Sequence, residues 1–213
     1  PFYQSIYYGV QNLFLSKGEV YYTARGVYQP IGNNQSAYQF SEEVWTQMQS
    51  LPAQLYKCSG SKAQRVELTG DFNGFSESGG TLFCQEKASL VTLDAADTMN
   101  VFFADYAYQD ESGRWQKLPA AALTDVPFQQ NDGLVFYTSY NEEGRLIPMV
   151  LDEKNAKCYS VPAALLPGSA ETGYPIPSVF YAKRSGDGVR IYYTLCAFSE
   201  ETSTKCLWYD TGT

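Results

Sequence analysis

The sequence predicts an all-β protein assembled from four repeated four-stranded units. Three observations carry that expectation: a recurring strand word, a recurring glycine turn and a near-constant spacing between the turns. A β-branched residue, two aromatics and a small residue follow one another six times. The copies are Ile6-Tyr7-Tyr8-Gly9, Val20-Tyr21-Tyr22-Thr23, Val101-Phe102-Phe103-Ala104, Val135-Phe136-Tyr137-Thr138, Val179-Phe180-Tyr181-Ala182 and Ile191-Tyr192-Tyr193-Thr194. Branched and flat side chains fit a pleated, packed surface, so each copy reads as a strand. Hairpin signals stand at Ser16-Lys17-Gly18, Ser78-Gly79-Gly80, Asn131-Asp132-Gly133 and Ser185-Gly186-Asp187-Gly188. From Gly18 the steps to Gly80, Gly133 and Gly188 are 62, 53 and 55 residues, a repeat period rather than chance punctuation.

Each turn joins a first strand, clearest at Leu13-Phe14-Leu15 and Val179-Phe180-Tyr181, to a second strand. The second strands are Val20-Tyr21-Tyr22, Leu82-Phe83-Cys84, Val135-Phe136-Tyr137 and Ile191-Tyr192-Tyr193. Third strands are expected at Leu55 to Cys58, Val101 to Phe103, Ile147 to Leu151 and Leu207 to Tyr209. Pro148 marks an edge, a bulge or a shifted boundary in one of them. Fourth strands follow at Arg65 to Leu68, Trp115 to Leu118 and Cys158 to Val161. The last unit lacks a fourth strand and the word Ser5-Ile6-Tyr7-Tyr8 lacks a unit. The expectation is that the opening segment completes the closing sheet, as in circular architectures that leave no edge exposed.

An insertion from Arg25 to Ala53 interrupts the first unit. Within it Ser41 can cap a helix, Glu42 and Glu43 suit its dipole, and Val44, Met48 and Leu51 share one face before Pro52 stops the run. Short links at Pro119-Ala120-Ala121-Ala122 and Pro162 to Pro167 separate later units, with room for a turn of helix.

Repeats with a glycine turn, an aromatic second strand and a third strand such as Leu207-Trp208-Tyr209-Asp210-Thr211-Gly212-Thr213 resemble bacterial extracytoplasmic β-propellers of the TolB-like and YWTD-like kind. The resemblance spans nearly the whole chain outside the insertion, although the repeats are uneven and no consistent Tyr-Trp-Thr-Asp word is present. It implies a ring of four-stranded sheets with loops at two faces, used as a binding platform. The expected fold is therefore a small β-propeller of about four blades, one domain over residues 1–213. Blade 1 is expected at about 10–70 with insertion 25–53, blade 2 at about 71–123, and blade 3 at about 124–168. Blade 4 takes about 174–213 plus strand 3–8.

Composition removes several function classes. Histidine is absent, which excludes Ser-His-Asp and Cys-His catalysis and histidine-ligated metals. A net charge of -8 with 15 Lys and Arg leaves no basic stripe, so nucleic acid and anionic lipid are not expected partners. No apolar run approaches the roughly 20 residues that span a bilayer, so no direct membrane insertion is expected within this segment. The start at Pro1 suggests a mature or trimmed part of a longer precursor whose targeting segment lies elsewhere. The expected location is extracellular or at the cell surface.

Five cysteines cannot all pair within one chain, and no Cys-x-x-Cys occurs. Cys196 and Cys206 flank the polar stretch Ser199 to Thr204, where a hairpin would set the two sulfurs across adjacent strands. The alternative is that both are small buried apolar residues. A bridge would mark an oxidising compartment.

Carboxylates are the remaining acid/base groups. Asp94, Asp97, Asp105 and Asp110 cluster around the expected third strand of unit two, and Asp94 and Asp97 could project from a strand entrance or simply close a turn. The stretch Tyr106 to Trp115 is similar to the Asp-box hairpin of sialidase-like propellers but has the wrong spacing, so it reads as a plain hairpin turn. Neither the Asp152 to Asn155 turn nor the Ser185 to Gly188 turn has the donor count of a calcium loop, and Gly79-Gly80 opens a strand rather than a helix. No metal, nucleotide or other cofactor is therefore expected. The insertion carries Tyr28, Tyr38, Phe40, Trp45 and Met48, which suit a recognition element for a protein or glycan, or a plug over a central opening.

These readings converge on a non-catalytic binding or sensing module with a protein or glycan partner at the cell envelope. The alternatives are a carbohydrate-active enzyme using paired carboxylates and a β-sandwich adhesion domain. Two carboxylates converging in one concave pocket would favour the enzyme. Units without rotational symmetry would favour the sandwich.

Overall fold

A computed structural model describes residues 3–30, 52–93, 99–124, 126, 128–168, 175–196 and 206–212. The chain is all-β, with five antiparallel sheets and, among the described residues, helix limited to one 3-10 turn at Ala163–Leu165. Sheet I contains β1 (Tyr3–Ser16), β2 (Glu19–Pro30), β3 (Gln54–Ser59) and β4 (Lys62–Arg65) in that order. Sheet II is ordered β10-β9-β6-β5, from β5 (Phe72–Ser78), β6 (Thr81–Glu86), β9 (Tyr106–Gln109) and β10 (Trp115–Lys117). The small sheet III joins β7 (Ser89–Thr92), β8 (Asn100–Ala104) and β11 (Ala122–Leu123) in the order β11-β8-β7. Sheet IV runs β12 (Gln129–Asn131), β13 (Leu134–Tyr140), β14 (Leu146–Asp152) and β15 (Lys157–Ser160). Sheet V runs β16 (Ile176–Ser185), β17 (Gly188–Cys196) and β18 (Cys206–Asp210).

Two-residue turns make the four leading hairpins. Lys17-Gly18, Gly79-Gly80 and Asp132-Gly133 hold both central residues at positive φ, the twist that matches a hairpin. At Gly79 the requirement is also one of space. A Cβ there would stand 2.6 Å from the Gln130 carbonyl oxygen, so the turn of sheet II rests directly on β12.

The sheets stack in chain order because consecutive residues of the central strands face opposite ways. On β6, Leu82 and Cys84 join Tyr21 and Leu55 of sheet I, while Phe83 joins Val135 and Tyr137 of sheet IV. On β13, Leu134 and Phe136 turn instead to Val179, Val189 and Ile191 of sheet V. Sheet III fills the flank, with Phe103 and Leu123 against Leu146. The central strands β6 and β13 are thus buried on both faces, which is why they read as continuous apolar runs. Phe128 sits at the centre of the II/IV junction, its ring 4.7 Å from Phe83 and 4.3 Å from Tyr106. Part of the aromatic excess is core of this kind, including Tyr21, Phe72, Phe103, Tyr108, Phe136, Tyr137 and Tyr193.

Four expectations are corrected. Residues 3–8 do not complete the last sheet: Ser5 pairs with Tyr28 and Ile6 with Val27 inside the β1–β2 hairpin. Register shifts between Tyr7 and Val10 and between Val10 and Asn12 carry the ladder through this stretch, so what reads as two short strands is one long one. Arg25 to Pro30 continue β2 and do not begin a loop. The expected blade 2 divides: Val101-Phe102-Phe103 pairs in sheet III, and the third strand of sheet II is Tyr106–Gln109. The expected ring is not seen. Every sheet is open, and among the described residues no core cluster joins sheet V to sheet I. The expected helix at 41–49 lies outside the described residues.

Candidate functional site

Two places concentrate chemistry: the row of hairpin turns along one edge of the stack, and the outer face of sheet V. The turns are tied together by polar contacts. The Lys17 amide donates to the Gly80 carbonyl at 3.2 Å, and the buried Ser16 hydroxyl lies 2.6 Å from Gln109 Oε1 while accepting from the Leu82 amide at 3.1 Å. Gln109 Nε2 in turn donates to the Tyr21 hydroxyl at 2.8 Å. Further along, the Arg184 guanidinium pairs with the buried Asp152 carboxylate and donates to the Asp132 carbonyl at 3.1 Å, locking sheet V to sheet IV.

A small cavity of about 180 Å³ opens on this edge between Asp110, Glu111, Ser112, Arg114, Glu153 and Lys154. It holds two carboxylates pushed in opposite directions. Burial alone would raise Asp110, but hydrogen bonds from Ser112, Gln116 and the Arg114 amide hold it down to about 2. Glu153 is raised by burial, against the favourable charge of Lys17 and with Glu111, Asp110 and Asp152 adding to the rise. Neither Glu153 oxygen has a hydrogen-bond partner.

Opposed carboxylates in one pocket are the pattern of acid/base chemistry, but Asp110 has no oxygen to spare. Its Oδ1 accepts from the Ser112 and Arg114 amides at 2.9 Å each and its Oδ2 from Gln116 at 3.1 Å and Arg114 Nε at 3.3 Å. Asp110 is the keystone of a hairpin turn. The same turn recurs at Asn141, whose Oδ1 accepts from the Glu143 and Arg145 amides at 3.1 and 2.9 Å. Sugar pockets are also larger than this cavity, at about 300–1,000 Å³ for ligand sites in general. A roomier groove of about 640 Å³ lies between the outer strand of sheet I and β5, lined by Leu55, Val66, Leu68, Phe72 and Phe75 among others. Among the described residues no group of three or more Cys, Asp or Glu is placed to hold a metal ion.

The outer face of sheet V is of a different kind. Trp208 is 60% exposed, Tyr181 43% and Phe180 39%, gathered around Tyr192. Strict alternation would turn Phe180 and Tyr181 to opposite faces. A bulge between Val179 and Tyr181 lets both reach solvent, each within 6.5 Å of the Tyr192 ring. The Arg190 guanidinium lies 4.8 Å over the Trp208 ring. Asp210 fixes it there, accepting from Arg190 Nη2 at 2.7 Å and Nε at 3.0 Å. The hydrogen bonds from Ser185 and Arg190 hold the Asp210 carboxyl below its ordinary value. Lys183 caps Tyr192 at 5.9 Å. Exposed Trp, Tyr and Arg in one patch are the residue types that dominate recognition energetics.

Of the residues singled out from sequence, Tyr28 falls on β2 opposite Ser5. Tyr38, Phe40, Trp45, Asp94 and Asp97 lie outside the described residues. Cys196 and Cys206 are both exposed free thiols, Cys206 opposite Thr194 on the neighbouring strand. The aromatic patch on sheet V escaped sequence reading because nothing in Val179-Phe180-Tyr181-Ala182 marks a bulge. Its one legible signal was two strand words in one hairpin, followed by Leu207-Trp208-Tyr209, in the unit that ends the row. Comparison with protein-family models, with curated proteins and with solved structures finds no match.

Proposed function

We propose that this chain is a non-catalytic binding or sensing module that works outside the cytoplasm, presenting a rigid stack of blade-like sheets to a protein or glycan partner at the cell envelope. The observation that carries it is the aromatic patch of Phe180, Tyr181, Tyr192 and Trp208, with Arg190 oriented over Trp208 by Asp210. Rings held by a sheet lose little freedom on binding, so burying them against a partner yields a large net gain. The rings are tilted by about 50° to one another, 54° for Phe180 and 46° for Tyr181 against Tyr192, which suits a contoured protein surface better than a flat sugar ribbon. The resemblance of Leu207 to Thr213 to TolB-like and YWTD-like repeats supports the same reading, the open stack being the counterpart of one blade row.

The experiment is a glycan array together with a pull-down from cell-envelope extract, run on wild type, Trp208→Ala and Tyr181→Ala. Loss of a specific interaction in both variants supports the reading. Interactions unchanged in both contradict it, and glycan hydrolysis by the purified chain would favour the carbohydrate-active enzyme instead.

A further inference from the structure

We infer that copies of this chain stack end to end, the outer face of sheet V on one copy seated against the outer face of sheet I on the next. The inference rests on sheet V being a recognition face and names its partner as a second copy. Every junction inside the chain is made alike, one sheet's apolar face covered by the next sheet's, with rings and aliphatic side chains mixed. At the I/II junction these are Tyr21 and Phe72 with Leu55 and Leu82. Among the described residues the two ends of the row leave that chemistry exposed. On sheet I, Leu13 is 70% exposed and Leu15 62%, and Val20 stands directly opposite Leu15. Beside them Tyr22 pairs with Leu13 and stacks on Tyr56 at 5.2 Å.

Arrays of stacked repeats need polar faces on their terminal units to stay apart. Here the end face of sheet I joins exposed Leu13, Leu15 and Val20 to the Tyr22–Tyr56 stack, and that of sheet V is mainly aromatic, the same mixture of kinds that meets inside the chain. Because the joined patches differ, the contact is head to tail and each new copy presents a fresh end. Three strands about 4.8 Å apart, with up to about nine residues at roughly 3.3 Å each, give a footprint of about 400 Å² per side. That lies at the weak, transient end of protein interfaces, so association is expected to depend strongly on concentration.

The test is analytical ultracentrifugation of wild type, Leu15→Glu and Trp208→Glu, each alone and the two variants mixed one to one. Both substitutions are at exposed positions, and far-UV circular dichroism checks that each variant keeps the fold. The expected result is a wild-type mass that climbs past the dimer as concentration rises, and monomers for each variant alone. Mixing should restore a dimer that grows no further, since each member then carries one blocked end. A mixture that stays monomeric, or a variant that still associates as wild type does, overturns the head-to-tail contact. A monomeric wild type whose glycan or protein binding is lost in Trp208→Glu ends self-stacking and keeps the recognition reading. A monomeric wild type with binding unchanged in Trp208→Glu ends both.

Discussion

Replacing Ser16 by alanine is expected to loosen sheet I from the rest of the stack. Ser16 is fully buried, and its hydroxyl does two jobs across the I/II junction. Its single hydrogen is offered to Gln109 Oε1 at 2.6 Å, the shorter contact, and to the Gly80 carbonyl at 3.0 Å, and its oxygen accepts from the Leu82 amide at 3.1 Å. Alanine leaves both groups buried without those partners, at about 1–3 kcal/mol for each orphan, so a total of about 2–4 kcal/mol is expected after partial relaxation. With a urea slope of about 2 kcal/mol per molar, the unfolding midpoint should fall by roughly 1–2 M. Hydrogen exchange adds the location: β1 and β2 amides should exchange faster while those of β13 and β14 stay protected. In a Gln109→Met background the same change should cost about 1–2 kcal/mol less, because the orphaned acceptor is already gone. A midpoint shift below about 0.3 M, or equal costs in the two backgrounds, would refute the node.

Glu153→Gln should stabilise the protein at neutral pH. A carboxyl raised by burial contributes stability below its ordinary value of 4.5 that is lost as pH climbs through its raised value, so the pH–stability curve of the variant should be flatter across that window. Asp110 has the opposite sign. Held down to about 2 by its turn, it contributes stability above 3.8 that is lost as pH falls toward 2, and Asp110→Ala should erase that acid limb in a thermal-melt series. Arg184→Met should cost about 2–3 kcal/mol by denaturant titration, below the ~3–5 of a fully buried pair because the guanidinium is partly solvated. Gly80→Ala should cost only about 1–2 kcal/mol, the left-handed backbone penalty. Gly79→Ala should cost clearly more on the same titration, because a Cβ there collides with the Gln130 carbonyl.

The strands were legible in this chain to the extent that strand formation is local. Residues 55–58, 147–151 and 207–209 are strands as their composition requires, and the glycine turns sit where Lys17, Gly79 and Asp132 take positive φ. Pro148 falls on the part of β14 that runs past the end of β15, a local edge, so its missing amide breaks no second ladder. Partnership was not legible. Val101-Phe102-Phe103 is a stronger strand word than Tyr106-Ala107-Tyr108-Gln109, yet the second, not the first, pairs with β6. Word strength measures fit to a pleated surface, and pairing is decided by which distant face offers cover.

The candidate site was obscure for the same reason. In Val135-Phe136-Tyr137-Thr138 all four residues are buried, whereas in Val20-Tyr21-Tyr22-Thr23 the first is exposed, because β13 is central in the stack and β2 terminal. Identical words cannot say which sheet ends the row. Nor can Asp110 be recognised as a turn keystone from its neighbours alone, since its role appears only when Ser112, Arg114 and Gln116 spend all of its lone pairs.

An open row of sheets with separated ends is the claim beneath all of this, and a distance across the molecule tests it most directly. Spin labels at positions 13 and 208, on the outer faces of sheets I and V, can be measured by pulsed dipolar spectroscopy in protein diluted with unlabelled copies. Three sheet-to-sheet steps of about 10 Å each separate those sheets, so a distance of roughly 30 Å or more is expected. A single population near about 10 Å would mean that the ends meet within one chain and that the row closes on itself.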